Sequence, residues 1–305
     1  MSDHAGAPVR LDVMVFPGTQ TLPLYAAQAQ GLFAGRGLAV DLHPAPNSAE
    51  QRQGLAAGRY QIVHGAADQA VALVEDGGAE AVIVAGGDNG FNHLFVQPDV
   101  RTLADLRGRT LAADVANTGW SFVLYRMLRL HGLERSDYII AEAGAPFRRF
   151  AAMRDDGLAA AILNPPFAIH ARKAGFRDMG AVVDTIGPYL GTVPYVLRGW
   201  AMANAATLTA YLQAAIEGLR WALAPENRAA AEALYAEQLN VTPDIAAEMY
   251  RLAADPVRGF VSDAAFDLAG FETVLALRSE AEGRTLRLPE SYADLSYYGQ
   301  ALAGL

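Results

Sequence analysis

The sequence predicts an α/β protein of two lobes, each a mixed, mostly parallel sheet flanked by helices, followed by a helical C-terminal tail. Three observations predict it. Short apolar runs alternate with amphipathic stretches from residue 11 onward, and the same alternation restarts at residue 110. From residue 208 to the end almost every segment has helical periodicity and is rich in alanine. At 305 residues the chain is too long for one ordinary core and comfortable as two.

The elements follow in order. Residues 11–16, 38–42, 60–63 and 81–85 read as strands, separated by helices at 22–33, 48–58 and 68–74. Ser48-Ala-Glu-Gln51 has the form of a capping box, in which a hydroxyl and an acidic or amide side chain satisfy the first free N–H groups of a helix. Thr102-Leu-Ala-Asp105 has the same form in the connector at 99–106. The second series places strands at 110–113, 138–141 and 159–163, with helices at 119–131, 147–154 and 166–173. Residues 195–197 form a last strand, and helices follow at 208–223, 228–238, 244–254 and 264–281. The boundaries expected are 1–96 plus 200–305 for a discontinuous first lobe and 97–199 for the second. The chain is expected to cross near 93–97 and 194–198, with the C-terminal helices packed on the first lobe.

Composition removes several function classes. With 52% hydrophobic and 19% charged residues the chain is globular rather than disordered. A formal charge of -9 with no Lys/Arg cluster argues against a nucleic-acid partner, whose phosphates demand clustered cations. The chain has no cysteine, which excludes disulfides, thiolate nucleophiles and Cys-ligated metals. Apolar runs stop short of a membrane span, so no direct membrane insertion is expected. The first ten residues show neither a basic nor an apolar leader region. They predict a cytoplasmic protein as the sequence stands, and a periplasmic one if a leader was removed.

In an open α/β sheet, ligands sit beyond the carboxyl ends of the strands. That rule selects Thr19, Gln20, Asn47, Ser48, His64, Asp68, Asp88 and Asn89 in the first lobe. In the second it selects Asp114, Asn117, Thr118, Gly119, Trp120, Ser121 and Asn164. Asn117-Thr118-Gly119, opening a helix, offers bare N–H groups to a carboxylate, sulfonate or phosphate, although Asn117 or Thr118 equally suits a plain helix cap. His64 and Asp68 lie one helical turn apart and form the candidate acid/base pair. No third metal ligand has convincing spacing, so neither metal nor cofactor is expected. Arg148 and Arg149 read as a solvated helix face, and no basic residue occupies the strand-end turns. Phe91, Trp120, Phe147, Phe167 and Tyr189 flank those turns and suit a planar ligand as well as a core. Nucleotide-binding glycine loops and the common hydrolase motifs are missing.

Several stretches carry a resemblance. Leu22-Pro-Leu-Tyr-Ala-Ala-Gln-Ala-Gln-Gly-Leu-Phe33 and Gly37-Leu-Ala-Val-Asp-Leu42 resemble the opening of the nitrate, sulfonate, taurine and thiamine-pyrimidine-precursor binding proteins. Leu55-Ala-Ala-Gly58-Arg-Tyr-Gln-Ile62, Leu103-Ala-Asp-Leu-Arg-Gly-Arg-Thr-Leu-Ala112 and Asn164-Pro-Pro-Phe-Ala168 are similar to later stretches of the same family. The resemblance runs over about 11–200 and implies a periplasmic-binding-protein type II clamp that closes on one small molecule. It implies a receptor for a planar or anionic organic solute, with the membrane subunits of an ABC importer as partners. The suicidal pyrimidine synthases of this fold use a Lys and a His in the third-strand turn and a Cys-rich loop. Here the turn reads His64-Gly-Ala-Ala-Asp-Gln69 in a chain without cysteine. The sulfinate-removing enzyme of the fold needs a cysteine where this chain has Pro17-Gly-Thr-Gln-Thr21. The alternative that stays open is a cytosolic lyase or decarboxylase, metal-assisted or not, using His64 with Asp68, Asp88 or Asp114.

Overall fold

The computed structural model describes residues 7–305, and the first six of the ten residues read for a leader lie outside the described residues. Strands are β1 Val9–Val15, β2 Leu38–Pro44, β3 Ile62–Ala66, β4 Ala81–Ile83, β5 His93–Val96, β6 Thr110–Ala113, β7 Ile139–Glu142, β8 Ala160–Leu163, β9 Arg177–Ala181 and β10 Thr192–Leu197. The helices between them are α1 Leu22–Ala29, α2 Ser48–Ala56, α3 Ala67–Glu75, α4 Gly119–Leu130, α5 Pro146–Asp155, α6 Phe167–Lys173 and α7 Val182–Ile186. The tail is α8 Arg198–Ala203, α9 Ala205–Leu223, α10 Arg228–Leu239, α11 Pro243–Ala253, α12 Leu268–Glu282 and α13 Ser296–Ala303.

Two five-stranded sheets result, ordered β2-β1-β3-β10-β4 and β7-β6-β8-β5-β9. In each, the fourth position is a strand antiparallel to its neighbours, β10 in the first and β5 in the second. Parallel pairing aligns Val15 with both Pro44 and His64, so the loops after β1, β2 and β3 open on one edge. Central strands such as β8, Ala-Ala-Ile-Leu, are buried along their whole length because helices cover both faces.

The crossings differ from the expected 93–97 and 194–198. Both segments are central strands, and the chain passes between the lobes at 84–92 and 187–191. Extended apolar residues are what a central strand needs, whereas both true connectors are rich in glycine. The two connectors lie against each other: Gly191 N–H donates to the Asp88 carbonyl at 2.8 Å, and a Cβ on Gly191 would sit 2.5 Å from Gly90 N. Sequence reading also missed β9, whose Arg-Asp-Met-Gly-Ala shows no apolar alternation because it is an edge strand.

The tail straddles both lobes rather than only the first. Leu208, Tyr211 and Leu212 of α9 join the core of β1 and α1, and Tyr297 of α13 joins them. Ile169 of α6 packs with Tyr235 of α10 and Met249 of α11, while Arg126 and Arg129 of α4 pair with Glu280 of α12. Helices with apolar residues on more than one face must bury each of them, and the groove between the lobes supplies the second surface.

Candidate functional site

Between the two open edges lies a cavity of about 40 Å³. The first lobe contributes Phe16, Gln20, Ser48 and Thr192; the second contributes Asp114, Trp120, Arg149 and Asn164; Asp88, Gly90 and Asn92 come from the connecting region. Local chemistry places each. Asn47, not Ser48, caps α2 by accepting the Glu50 N–H at 2.8 Å, which frees the Ser48 hydroxyl to donate to Asp114 across the cleft. Asn164 Nδ2 donates to Gln20 Oε1 at 3.2 Å, and Ala145 N–H donates to the Pro46 carbonyl at 3.2 Å. These three bonds all join one lobe to the other, so the structure shows a closed cleft.

The electrostatics single out Arg149. Its side chain is buried in the second turn of α5, its Nε has no hydrogen-bond partner, and no carboxylate pairs with it among the described residues. Burial lowers its pKa, and the nearby Asp114 charge opposes that effect. The solvated-face reading of Arg149 is therefore wrong. In Pro146-Phe-Arg-Arg-Phe150 one arginine must face inward with the helix's core stripe, and a helix-period count from Met153 would have found it. Two further buried atoms around the cavity lack partners, Asp114 Oδ1 and Asn164 Oδ1. The arrangement offers a guanidinium donor beside two oxygen acceptors, a pattern that suits an oxyanion and an N–H or O–H on one small ligand.

Asp88 stands where the connectors meet. Burial pushes its pKa up to about 7, although N–H groups of Gly90 at 2.5 Å and Thr192 at 3.4 Å favour the charged form. Trp120 is half-buried, with its ring 4.8 Å from that of Tyr189.

Other candidates lie elsewhere. His64 faces a second cavity behind the cleft, where its Nε2 meets the Tyr211 hydroxyl at 2.8 Å and burial lowers its pKa to about 4. Asp68 is wholly buried against Arg278, with Oδ1 2.7 Å from Nε. The proposed His64/Asp68 pair thus does not form, because β3 ends at Ala66 and Asp68 sits in the first turn of α3, so the strand-to-helix turn takes the two side chains to different surroundings. Thr19 is buried off the cavity, its carbonyl accepting from the Tyr235 hydroxyl at 2.8 Å. Asn89 lines an outer groove with Phe91 and His93.

The Asn117-Thr118-Gly119 turn is not part of the cavity wall. Asn117 lies beside Arg52 and Asp76, Thr118 Oγ1 bonds back to the Val115 carbonyl at 3.0 Å, and a Cβ on Gly119 would sit 2.6 Å from Asp68 Cβ. This helix start is used for packing α4 against α3, which leaves no room for an anion. Among the described residues no three His, Asp or Glu side chains come together as a metal site, and no helix is long and apolar enough to cross a membrane.

Two sheets of matching order, each with one reversed strand, enclosing a cavity where two connectors cross, define the periplasmic-binding-protein-like class of fold. Residues 18–229 match the family described as NMT1/THI5 like, and the chain belongs to that family. No curated protein sequence matches the chain. Among solved structures, a protein of Bordetella bronchiseptica RB50 aligns with a TM-score of 0.81 at 20% identity over 98% of each chain. The periplasmic nitrate-binding protein NrtA from Synechocystis PCC 6803 aligns with a TM-score of 0.80 at 12% identity, over 98% of this chain and 89% of that one. The alkanesulfonate-binding protein SsuA from Xanthomonas axonopodis pv. citri bound to MOPS aligns with a TM-score of 0.77 at 16% identity, over 95% of this chain and all of that one. At these identities the likeness is one of fold.

Proposed function

We propose that the chain is a solute receptor that closes its two lobes on a small organic anion and delivers it to the membrane subunits of an ABC importer. The buried, unpaired Arg149 guanidinium carries this reading, since an unpaired buried cation is costly unless an anion joins it. The ligand's oxyanion faces Arg149, a donor group faces Asp114 Oδ1, and Trp120 with Phe16 supplies flat walls for a planar portion. The lobes built on the two sheets are the jaws, and 84–92 with 187–191 is the hinge. Solved structures of the same fold described as nitrate- and alkanesulfonate-binding support an anionic solute. That role belongs outside the cytoplasmic membrane.

The test is calorimetry with matched pairs: benzenesulfonate and benzoate against benzenesulfonamide and benzamide. Anions are expected to bind at least tenfold more tightly, with the ligand recovered unchanged by mass spectrometry after long incubation. Equal binding of the neutral partners sinks the anion reading, and a product sinks the receptor reading.

A further inference from the structure

Behind the cleft, within the first lobe, lies a second cavity of about 50 Å³. Its walls are Leu24 of α1, Leu212, Ile216 and Leu219 of α9, and Phe260 from the loop before α12. Its floor, Ala85-Gly86-Gly87, carries almost no side chain. Backbone crowding forces that choice: a Cβ on Gly87 would sit 1.8 Å from the Thr192 carbonyl oxygen, and one on Gly86 would sit 2.0 Å from that of Ala265. Only Gln20, Asp88 and Thr192 wall both cavities.

We propose that this cavity is a second binding site, for a small uncharged apolar group such as the end of a short alkyl chain. Three observations carry it. The lining is apolar apart from the shared wall and His64, and His64 presents a neutral ring whose Nε2 is already engaged by Tyr211. The volume matches that of the cleft cavity, about 50 against 40 Å³, and is several times the room that one water needs in a close-packed interior. The loop that closes it holds Asp263 at φ 54° and Ala264 at φ 55°, a left-handed backbone that costs energy in residues with a Cβ. Such strain gathers at ligand clamps, and Arg220 holds this loop by an ion pair to Asp263 at 2.7 Å.

The apolar group comes either from a tail on the cleft ligand or from a separate molecule. The first source rests on the anionic head reading above, and the site itself does not. Uncharged n-alkanols from methanol to butanol, titrated into ¹⁵N-labelled wild type, are expected to shift the amides of Gly86, Gly87 and Ala215 saturably. Affinity should climb about fourfold per methylene. Ala215→Phe, or the milder Ala215→Met if the first folds poorly, should remove that climb, and Arg149→Gln should leave it intact. A parallel series of n-alkanoates from acetate to hexanoate separates the sources. A climb lost in the Ala215 variant, with acetate binding kept, assigns a tail; flat alkanoate affinity beside intact alkanol binding assigns a separate molecule. Alkanol binding with no alkanoate binding supports this site and overturns the anionic head. Wild-type amides that stay unmoved by every alkanol overturn the second site.

Discussion

Asp68 Oδ1 and Arg278 Nε face each other at 2.7 Å with both side chains fully buried, 210 positions apart in the chain. The pair ties α3 to α12, and Arg278 also lies 5.3 Å over the Phe122 ring of α4. Burial alone would lower the Arg278 pKa, but the Asp68 charge and hydrogen bond raise it instead.

Asp68→Asn is therefore expected to destabilise the fold by about 3 kcal/mol, because it removes the fully buried carboxylate from a buried guanidinium and leaves it only the partly exposed Asp76 and Glu282. Arg278 also reaches Asp76, but that carboxylate is 46% exposed. Asp76→Asn should cost under about 1 kcal/mol. Urea unfolding of the two variants checks the contrast; equal costs would mean that burial does not govern this network.

Arg149→Gln should behave in the opposite way. It removes a buried, unpaired charge, so thermal stability should hold or rise while affinity for an anionic ligand falls by about 1.5–3 kcal/mol. Calorimetry beside a melting curve reads both. A fall in stability with affinity unchanged would make Arg149 structural.

Two buried groups set opposite pH dependences. Unfolded His64 gains a proton near pH 6.5, while the folded ring refuses it until about 4, so stability is lost as pH falls between those values. Asp88 keeps its proton up to about 7 when folded but ionises near 4 when unfolded, so it costs stability as pH rises through that window. Relative to wild type, His64→Gln should gain stability on acidification and Asp88→Asn should gain it toward pH 8, each by a few kcal/mol. Unfolding free energies at half-unit pH steps from 4 to 8 check both slopes.

Trp120→Ala is expected to weaken binding of a planar ligand by about 1–3 kcal/mol. It should also lower stability, because the ring packs on Tyr189 at 4.8 Å and closes over Gly90, where a Cβ would sit 2.4 Å from it. Paired binding and melting data separate the two losses; unchanged affinity would place Trp120 in the core alone.

The α/β class, the two strand–helix series and most helices were legible in the sequence, since apolar periodicity is a local property. Strand-end position also marked Gln20, Ser48, Asp88, Trp120 and Asn164, all of which line the cleft. Only the tertiary structure decided the rest. It placed His93–Val96 and Thr192–Leu197 as central strands of opposite lobes, because pairing partners more than sixty residues distant settle strand membership. It turned Arg149 into the cavity and Asp68 away to Arg278, whose partnership across 210 residues leaves no trace in local spacing. A residue's neighbours along the chain set its element and its face, but whether that face meets water, a cavity or an opposite charge depends on what the fold brings there.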